Sequence, residues 1–467
     1  MTFNIFSARI SLYKYFGIRE ERILYSVGLY TLGCKVSQYE TEAVGEEFER
    51  RGFEICPFGD VCDVYVVNTC TVTAESDRKS RQFIRRAIKR NPDAVIAVMG
   101  CYSQRAAEEV AEIPGVLCVV GTEDKLSVVD VAVKMLREKS EGREPRKYIS
   151  TTDVTGATFE GMKITRAPRT RAYVKIEDGC ESKCTYCAIS DARGRVRSKP
   201  KDDVIREVED LYKSGTREIV LTGIETGSYG RDFDSKYDLA DLICELDARG
   251  SCDRIRLGSL APELINHDFI VKVRDKKILA PHFHLSIQSG SDAVLRRMKR
   301  RYNSEQAMRV IEDIRENIDG AQFTTDLMVG FPGESEENFL ETVEFARRAK
   351  FLDAHVFAYS RREGTPAAYY EDQIPEDVKR ERSARLISFK NKIRASVLDE
   401  IVKRGEVLSA IAETFDGEFY TAHTDSYIEV KFPSRDAKLS GELVNLIPVS
   451  HKSGIVLCDI VKTSKKI

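Results

Sequence analysis

Gly179-Cys180-Glu181-Ser182-Lys183-Cys184-Thr185-Tyr186-Cys187 spaces three cysteines as C-x3-C-x2-C. The apolar run Ala172–Ile176 leads into this stretch and reads as a strand, so the cysteines occupy the loop at its C-terminal end. Three thiolates in one loop can converge on one side. A cubane iron–sulfur cluster asks for that arrangement, because each iron takes one thiolate. Three ligands for four irons leave one iron open to a small molecule, as a catalytic metal site keeps a position that a structural site closes. The competing readings are a structural zinc site and ordinary buried cysteines. Zinc needs a fourth ligand, and no histidine lies between Cys34 and His267. Buried cysteines rarely share a loop with Glu, Ser, Lys and Thr.

Around the loop, further strands are expected at Glu218–Thr222, Arg254–Leu257, His282–Ile287, Gln322–Met328 and His355–Ser360. Helical patterns follow them, at Asp202–Ser214, Leu239–Leu246, Glu334–Ala349 and Glu376–Lys403. Six strand–helix units over residues 166–403 fit a barrel or partial barrel with its site at the C-terminal strand ends. An open doubly wound sheet is the alternative. Residues 25–146 alternate in the same way. Runs at Val27–Leu32, Val64–Val67, Val95–Met99 and Val116–Val120 enclose helical stretches at Ser37–Gly52, Ala74–Arg90 and Ser103–Glu112, which argues a parallel α/β sheet. Residues 147–165 are expected to form a linker, heralded by the polar stretch Lys139–Lys147 with Gly142 and Pro145. From residue 404 to 467 short runs separated by turn residues suggest a small antiparallel barrel. Such barrels often bind oligonucleotides, and others are only structural caps. The fold class is α/β throughout the first two segments.

The chain has 467 residues, enough for about three domains of ~150 residues. Its 73 Lys plus Arg against 75 Asp plus Glu give a net charge of -2, which excludes a uniformly basic nucleic-acid coat but not a local basic face. A hydrophobic content of 42% is too high for a disordered chain. No apolar run approaches the ~20 residues of a spanning helix, and Met1–Arg22 lacks the apolar core of a secretory signal. A cytoplasmic location is therefore expected, where thiols stay reduced. The 12 cysteines then read as ligands, reactive thiols or packing rather than disulfides.

A second triplet stands in the N-terminal segment. Cys34, Cys70 and Cys101 each follow an expected strand, in Leu32-Gly33-Cys34, Asn68-Thr69-Cys70 and Met99-Gly100-Cys101. In a parallel sheet all three fall at the C-terminal edge, where such folds place ligands, and there they could hold a second cluster with an open iron. Cys56, Cys62 and Cys118 are expected to be plain packing residues, as are Cys244, Cys252 and Cys458.

The C-x3-C-x2-C loop after the first barrel strand, with Tyr186 before the last cysteine, resembles the radical S-adenosylmethionine (SAM) enzymes. Thr31-Leu32-Gly33-Cys34-Lys35-Val36-Ser37-Gln38-Tyr39-Glu40-Thr41, Asn68-Thr69-Cys70 and Met99-Gly100-Cys101 narrow the resemblance to the methylthiotransferases. The likeness continues through Leu221-Thr222-Gly223-Ile224-Glu225-Thr226-Gly227-Ser228-Tyr229-Gly230, Gln288-Ser289-Gly290-Ser291-Asp292, Gly330-Phe331-Pro332-Gly333-Glu334 and Arg361-Arg362-Glu363-Gly364-Thr365-Pro366-Ala367. The terminal barrel resembles a TRAM domain. The Lys-Val-x-Gln-Tyr-Glu-Thr form is similar to the branch acting on N6-threonylcarbamoyladenosine at position 37 of tRNA. Ser37, Glu181, Ser190 and Asp191 depart from the usual pattern, and none of them is a cluster ligand. Residues 1–24 match nothing in the family and read as an unusual extension or an over-long gene start.

The resemblance implies two [4Fe-4S] clusters and two SAM molecules. One SAM gives the methyl group and the other a 5′-deoxyadenosyl radical that takes the hydrogen from adenine C2. It assigns Cys180, Cys184 and Cys187 to the radical cluster, and Cys34, Cys70 and Cys101 to the second. Tyr186, Gly223, Glu225, Gln288, Ser289 and Asp326 fall where the superfamily contacts SAM, with barrel packing or capping as the alternative for each. The implied partners are a tRNA anticodon loop, SAM, an electron donor and a sulfur source. Two basic stretches are candidates for phosphate contact: Arg78, Arg81 and Arg85 on one helical face, and Arg296, Arg297 and Arg300. The runner-up functions are methylthiolation of isopentenyladenosine in tRNA or of a ribosomal-protein aspartate.

Overall fold

The computed structural model describes residues 24–167 and 170–461, so the unmatched N-terminal extension lies almost wholly outside the described residues. The chain divides into two compact units, the first ending at Val154 and the second running from Thr155, with Val72–Ala74 also assigned to it.

The first unit is a six-stranded parallel sheet in the order β2-β1-β3-β4-β5-β6. Its strands are β1 (Ser26–Thr31), β2 (Glu54–Cys56), β3 (Val64–Thr69), β4 (Val95–Gly100), β5 (Val116–Val120) and β6 (Tyr148–Ser150). β3 and β4 are buried at every residue, as their unbroken apolar runs require of strands with both sheet faces covered. Two strands depart from the sequence reading. β6 lies in the stretch expected to be a linker, and β2 has no apolar run at all. Both are three-residue edge strands, held by backbone pairing to β5 and β1 rather than by burial. The helix expected over Ser103–Glu112 is two short ones, Cys101–Arg105 and Ala107–Ala111, broken at Ala106. The helix Lys35–Arg50 is tied down by an ion pair at 3.2 Å between Glu40 and Lys125, both fully buried.

In the second unit, β7 (Arg171–Lys175), β10 (Glu218–Thr222) and β11 (Arg254–Leu257) form one parallel sheet. β12 (Ser259–Leu260), β13 (His282–Gln288), β14 (Gln322–Val329) and β15 (Asp353–Ala358) form another, joined to the first by a parallel bridge between Ile255 and Leu279. The two-residue strands β8 (Glu177–Asp178) and β9 (Arg197–Ser198) pair with each other and bracket the cysteine loop. Phe283, Leu285, Ile287, Phe323, Leu327 and Val329 are all fully buried. His282, His284, Thr324 and Asp326 share the opposite face, hydrogen bonded to one another. One apolar and one polar face suit a partial barrel with a polar lumen, not a doubly wound sheet, which buries both faces.

The C-terminal strands β16 (Leu408–Phe415), β17 (Phe419–Thr424), β18 (Glu429–Pro433), β19 (Leu443–Lys452) and β20 (Ile455–Ile460) close a barrel in the order β16-β17-β18-β20-β19. Its core includes Ala410, Tyr420, Val430, Phe432, Leu446 and Val456, and the long helix Glu376–Arg404 packs on it through Leu398 and Ile401. The barrel is not wholly antiparallel, because β18 and β20 pair parallel to close it.

This barrel docks on a buried carboxylate. Glu218, fully buried, receives Arg171 at 3.1 Å, Arg254 at 3.3 Å and Arg256 at 2.9 Å. One carboxylate cannot balance three guanidiniums, and the C-terminal barrel supplies the remaining acceptors. Arg254 donates to Ser409 Oγ at 2.8 Å, Arg256 to the carbonyls of Asp425 at 2.7 Å and Thr424 at 3.0 Å, and Arg171 pairs with Glu413. Arg256 lies over the Tyr427 ring, which stacks on His282 at 4.6 Å. Burial pushes the Glu218 carboxyl up, but the charges of Arg256 and Arg171 outweigh burial and bring it down to about 2. The ordinary value is about 4.3. The stabilisation is therefore complete above that value and is lost as the pH falls towards about 2. Glu218→Ala deprives two buried cations, Arg254 and Arg256, of their carboxylate and is expected to cost about 3–5 kcal/mol. Urea denaturation near neutral pH measures it, and an unchanged midpoint would remove Glu218 from this role.

Candidate functional site

The first cysteine loop is pinned on both flanks. Asp178, just before it, pairs with Lys175 at 2.6 Å and with Arg193 at 3.1 Å beyond it. Thr185 within it donates its backbone N–H to Met298 O at 3.1 Å and its hydroxyl to Arg297 O at 2.9 Å. Each sulfur accepts one N–H. Ser182 N reaches Cys180 Sγ at 3.5 Å, Ile189 N reaches Cys187 Sγ at 3.5 Å, and Arg300 Nη1 reaches Cys184 Sγ at 3.4 Å. Burial pushes the Cys180 thiol up to about 11 and the Cys187 thiol to about 12. These groups stay protonated until a metal ionises them.

Two buried carboxyls stand behind the loop. Glu177 Oε2 accepts the backbone N–H of Glu225 at 2.8 Å, and a Cβ at Gly223 would meet the same oxygen at 2.4 Å, so a larger residue there would displace the Glu177 carboxylate. Glu225 Oε1 accepts Ala261 N at 2.9 Å, and burial raises its carboxyl to about 7. Glu177 was not foreseen, since a lone acid before a motif carries no sequence signal.

The remaining expected cofactor contacts divide. Tyr186 is half-buried, edge-on to Phe331 at 6.3 Å. Gln288 ends β13 with φ 66°, a left-handed conformation unusual for a residue with a side chain. The Ser289 hydroxyl is committed elsewhere, to Thr342 Oγ1 and to the backbone of Ser291, both at 3.1 Å. Asp326 faces the lumen between His284 and His355, each at 3.3 Å. Burial raises its carboxyl, but the hydrogen bonds from both histidines outweigh burial and hold it well below the usual range.

In the first unit, β1, β3 and β4 are sheet neighbours, and Cys34, Cys70 and Cys101 follow their ends. Two glycines let these corners meet. A Cβ on Gly33, at φ 122°, would stand 3.5 Å from Cys70 Sγ. One on Gly100, at φ 105°, would stand 2.4 Å from Asn68 Oδ1 and 2.6 Å from Thr69 O. Asn68 spans all three corners. Its Nδ2 donates to Ser37 O at 2.9 Å and Thr41 Oγ1 at 3.1 Å in the first turns after Cys34, its backbone lies two residues before Cys70, and its Oδ1 abuts Gly100. Cys34 is exposed, whereas Cys70 and Cys101 are buried. Cys56, Cys62 and Cys118 are also free thiols.

Among the described residues, no three Cys, His, Asp or Glu side chains gather around the position of a single metal ion. A cubane takes its thiolates one per iron, so three cysteines in one loop, and three at neighbouring strand ends, are donor sets of the kind a cluster uses. The glycine-relieved corners and the N–H donors on sulfur suit anionic ligands of that size.

The basic residues are less uniform than their sequence suggests. Arg85 is exposed, but Arg78 pairs with Glu75 at 2.6 Å, and Arg81 bonds Tyr102 Oη at 2.7 Å and Glu109 at 3.1 Å. Arg297 is held by Asp372 at 2.7 Å and Pro332 O at 3.0 Å. Arg300, expected on a tRNA-facing patch, is turned inward. Its guanidinium binds Cys184 and, at 2.9 Å, Ser286 O, and its side chain is 6% exposed. A buried sulfur and a carbonyl hold it more firmly than water would.

Residues 174–346 match the Radical SAM superfamily, and residues 26–121 match the Uncharacterized protein family UPF0004. The threonylcarbamoyladenosine tRNA methylthiotransferase MtaB of Bacillus subtilis is 41% identical over 90% of this chain and 93% of its own length. The protein of that name in Thermotoga maritima is 35% identical over 85% and 91%. A tRNA-2-methylthio-N(6)-dimethylallyladenosine synthase of Acetivibrio thermocellus is 33% identical over 90% and 87%. Among solved structures, the radical S-adenosylmethionine methyltransferase TsrM of Kitasatospora setae shares the fold, with a TM-score of 0.54 at 17% identity over 74% of this chain and 77% of that one.

Proposed function

The chain belongs to the radical SAM tRNA methylthiotransferases, and on that premise we propose that it converts N6-threonylcarbamoyladenosine at position 37 of tRNA to its 2-methylthio derivative. The observation that carries this is the pair of cysteine triplets, one in a single loop of the barrel and one across three neighbouring strand ends. When bound, two [4Fe-4S] clusters and SAM supply the radical that takes the C2 hydrogen and the methylthio group that replaces it.

The chain's own residues hold and aim these groups. Cys180, Cys184 and Cys187 would ligate the first cluster, and Cys34, Cys70 and Cys101 the second. Arg300 sets the position of Cys184. Glu177 and Glu225 fix the turn at Gly223 and keep it close to the loop. Tyr186, Gln288 and Asp326 would contact SAM or the base. A nucleotide of an anticodon loop can be splayed into such a lumen without melting a duplex. The exposed Arg85 would contact phosphate, joined by Arg78 and Arg81 only where phosphate displaces Glu75 and Glu109, and the C-terminal barrel would hold single-stranded RNA. The tRNA pool makes the cytoplasm the working compartment. Among the described residues no helix is long and apolar enough to cross a membrane.

The substrate branch is supported by Lys35-Val36-Ser37-Gln38-Tyr39-Glu40-Thr41 and by identities of 41% and 35% to relatives named for threonylcarbamoyladenosine, against 33% for one named for dimethylallyladenosine. Mass spectrometry of tRNA nucleosides from cells lacking the gene tests it. The 2-methylthio mark is expected to vanish from threonylcarbamoyladenosine and to persist on isopentenyladenosine, and the reverse pattern would overturn the choice.

A further inference from the structure

We infer that Lys183, Arg296, Lys299 and Arg301 form the docking surface for a small acidic one-electron carrier protein that reduces the first cluster. The inference rests on the radical reading of the cysteine loop. That reading requires one electron for each SAM cleaved, delivered from outside the chain.

All four cations are exposed, and among the described residues no carboxylate stands within ion-pair distance of any of them. Charge runs on a surface are usually just solvated. This one differs because it is welded to the cysteine loop. Lys183 lies within that loop, next to Cys184. Arg301 donates to the carbonyl of Glu181, the neighbour of Cys180, at 2.9 Å. Lys299 sits between Met298, whose carbonyl accepts the N–H of Thr185, and Arg300, which binds the Cys184 sulfur. Lys183 at φ 47° and Lys299 at φ 57° both hold left-handed backbone.

An RNA surface is the other reading, and the test below separates the two. Arg297 and Arg300, the neighbours that would have extended the patch, are spent on Asp372 and on Cys184. What remains adjoins the ligands of the cluster that must be reduced, with Lys183 beside Cys184 and Arg301 bonded to Glu181 O. A short cationic face steers an acidic partner and orients it with little buried area, as suits a carrier that must dissociate after each turnover. In the step itself the carrier loses one electron and the cluster gains it. No bond forms or breaks.

The test uses the cluster-loaded enzyme and its Lys183→Glu/Lys299→Glu variant, with iron content confirming equal loading. The probe is an acidic flavodoxin, whose affinity is measured across a salt series by biolayer interferometry. The variant is expected to bind it at least about tenfold more weakly at low ionic strength, with a flattened salt dependence. Its tRNA affinity, and its cleavage of SAM with dithionite as reductant, are expected to match the parent. Unchanged flavodoxin affinity would overturn the inference. So would a fall in tRNA affinity with flavodoxin binding intact, which would make this an RNA surface. Failure of the parent enzyme to cleave SAM with dithionite would instead strike at the radical reading beneath it.

Discussion

Cys187→Ala is expected to abolish reductive cleavage of SAM, bringing 5′-deoxyadenosine formation to the level of a blank. The cluster this loop would hold has a protein sulfur on three of its four irons and no spare ligand. His267, the nearest histidine in sequence after the loop, is exposed and bonded to Asp313. Alanine at 187 therefore leaves a second iron without a protein ligand and degrades the cluster, rather than weakening it by degrees. The fold should survive. Thr185 is anchored through Met298 and Arg297, and Asp178 through Lys175 and Arg193, none of which involves the Cys187 sulfur. Iron content is expected to fall by roughly half, while circular dichroism stays that of the parent. Cleavage at the parental rate would remove Cys187 from the ligand set. Unfolding would be recognised by the loss of all bound iron.

What the sequence shows of this architecture is what burial periodicity and local spacing can carry. The runs of β3 and β4 are apolar because both sheet faces are covered, and they are readable for that reason. β2 and β6 are not, because three-residue edge strands depend on a partner's backbone and leave little pattern in side chains. The two cysteine triplets stand out because each sits at a fixed offset from a strand. Glu177, Glu218 and Arg300 do not. Each is one charged residue among the chain's 75 acids or 73 bases, and its role comes from partners distant in sequence. Arg300 illustrates the limit. Its neighbours make it look like part of a solvated basic run, yet a sulfur 116 positions earlier claims it.

Cys70→Ala separates the two clusters by outcome. The variant is expected to keep SAM cleavage and to lose methylthiolation of the base completely. Cys70 belongs to the compact unit ending at Val154, whereas the loop that would hold the cleaving cluster belongs to the unit from Thr155. Damage to one need not reach the other. Within its own unit Cys70 is the middle member of its triplet, because β3 lies between β1 and β4. Gly33 gives up its side chain to let Cys70 stand beside the Cys34 corner, and Gly100 does the same opposite Asn68 and Thr69. Those glycines cost backbone freedom. Asn68 holds the corner through Ser37 and Thr41, so the strand ends should keep their places in the variant. The loss should then be chemical rather than structural, with about half the iron retained. Three readouts separate the possibilities. Formation of 5′-deoxyadenosine without 2-methylthio product supports two clusters with divided roles. Full methylthiolation would refute the assignment of Cys70. Loss of cleavage together with sulfur insertion, in a folded protein that keeps half its iron, would refute the independence of the two sites.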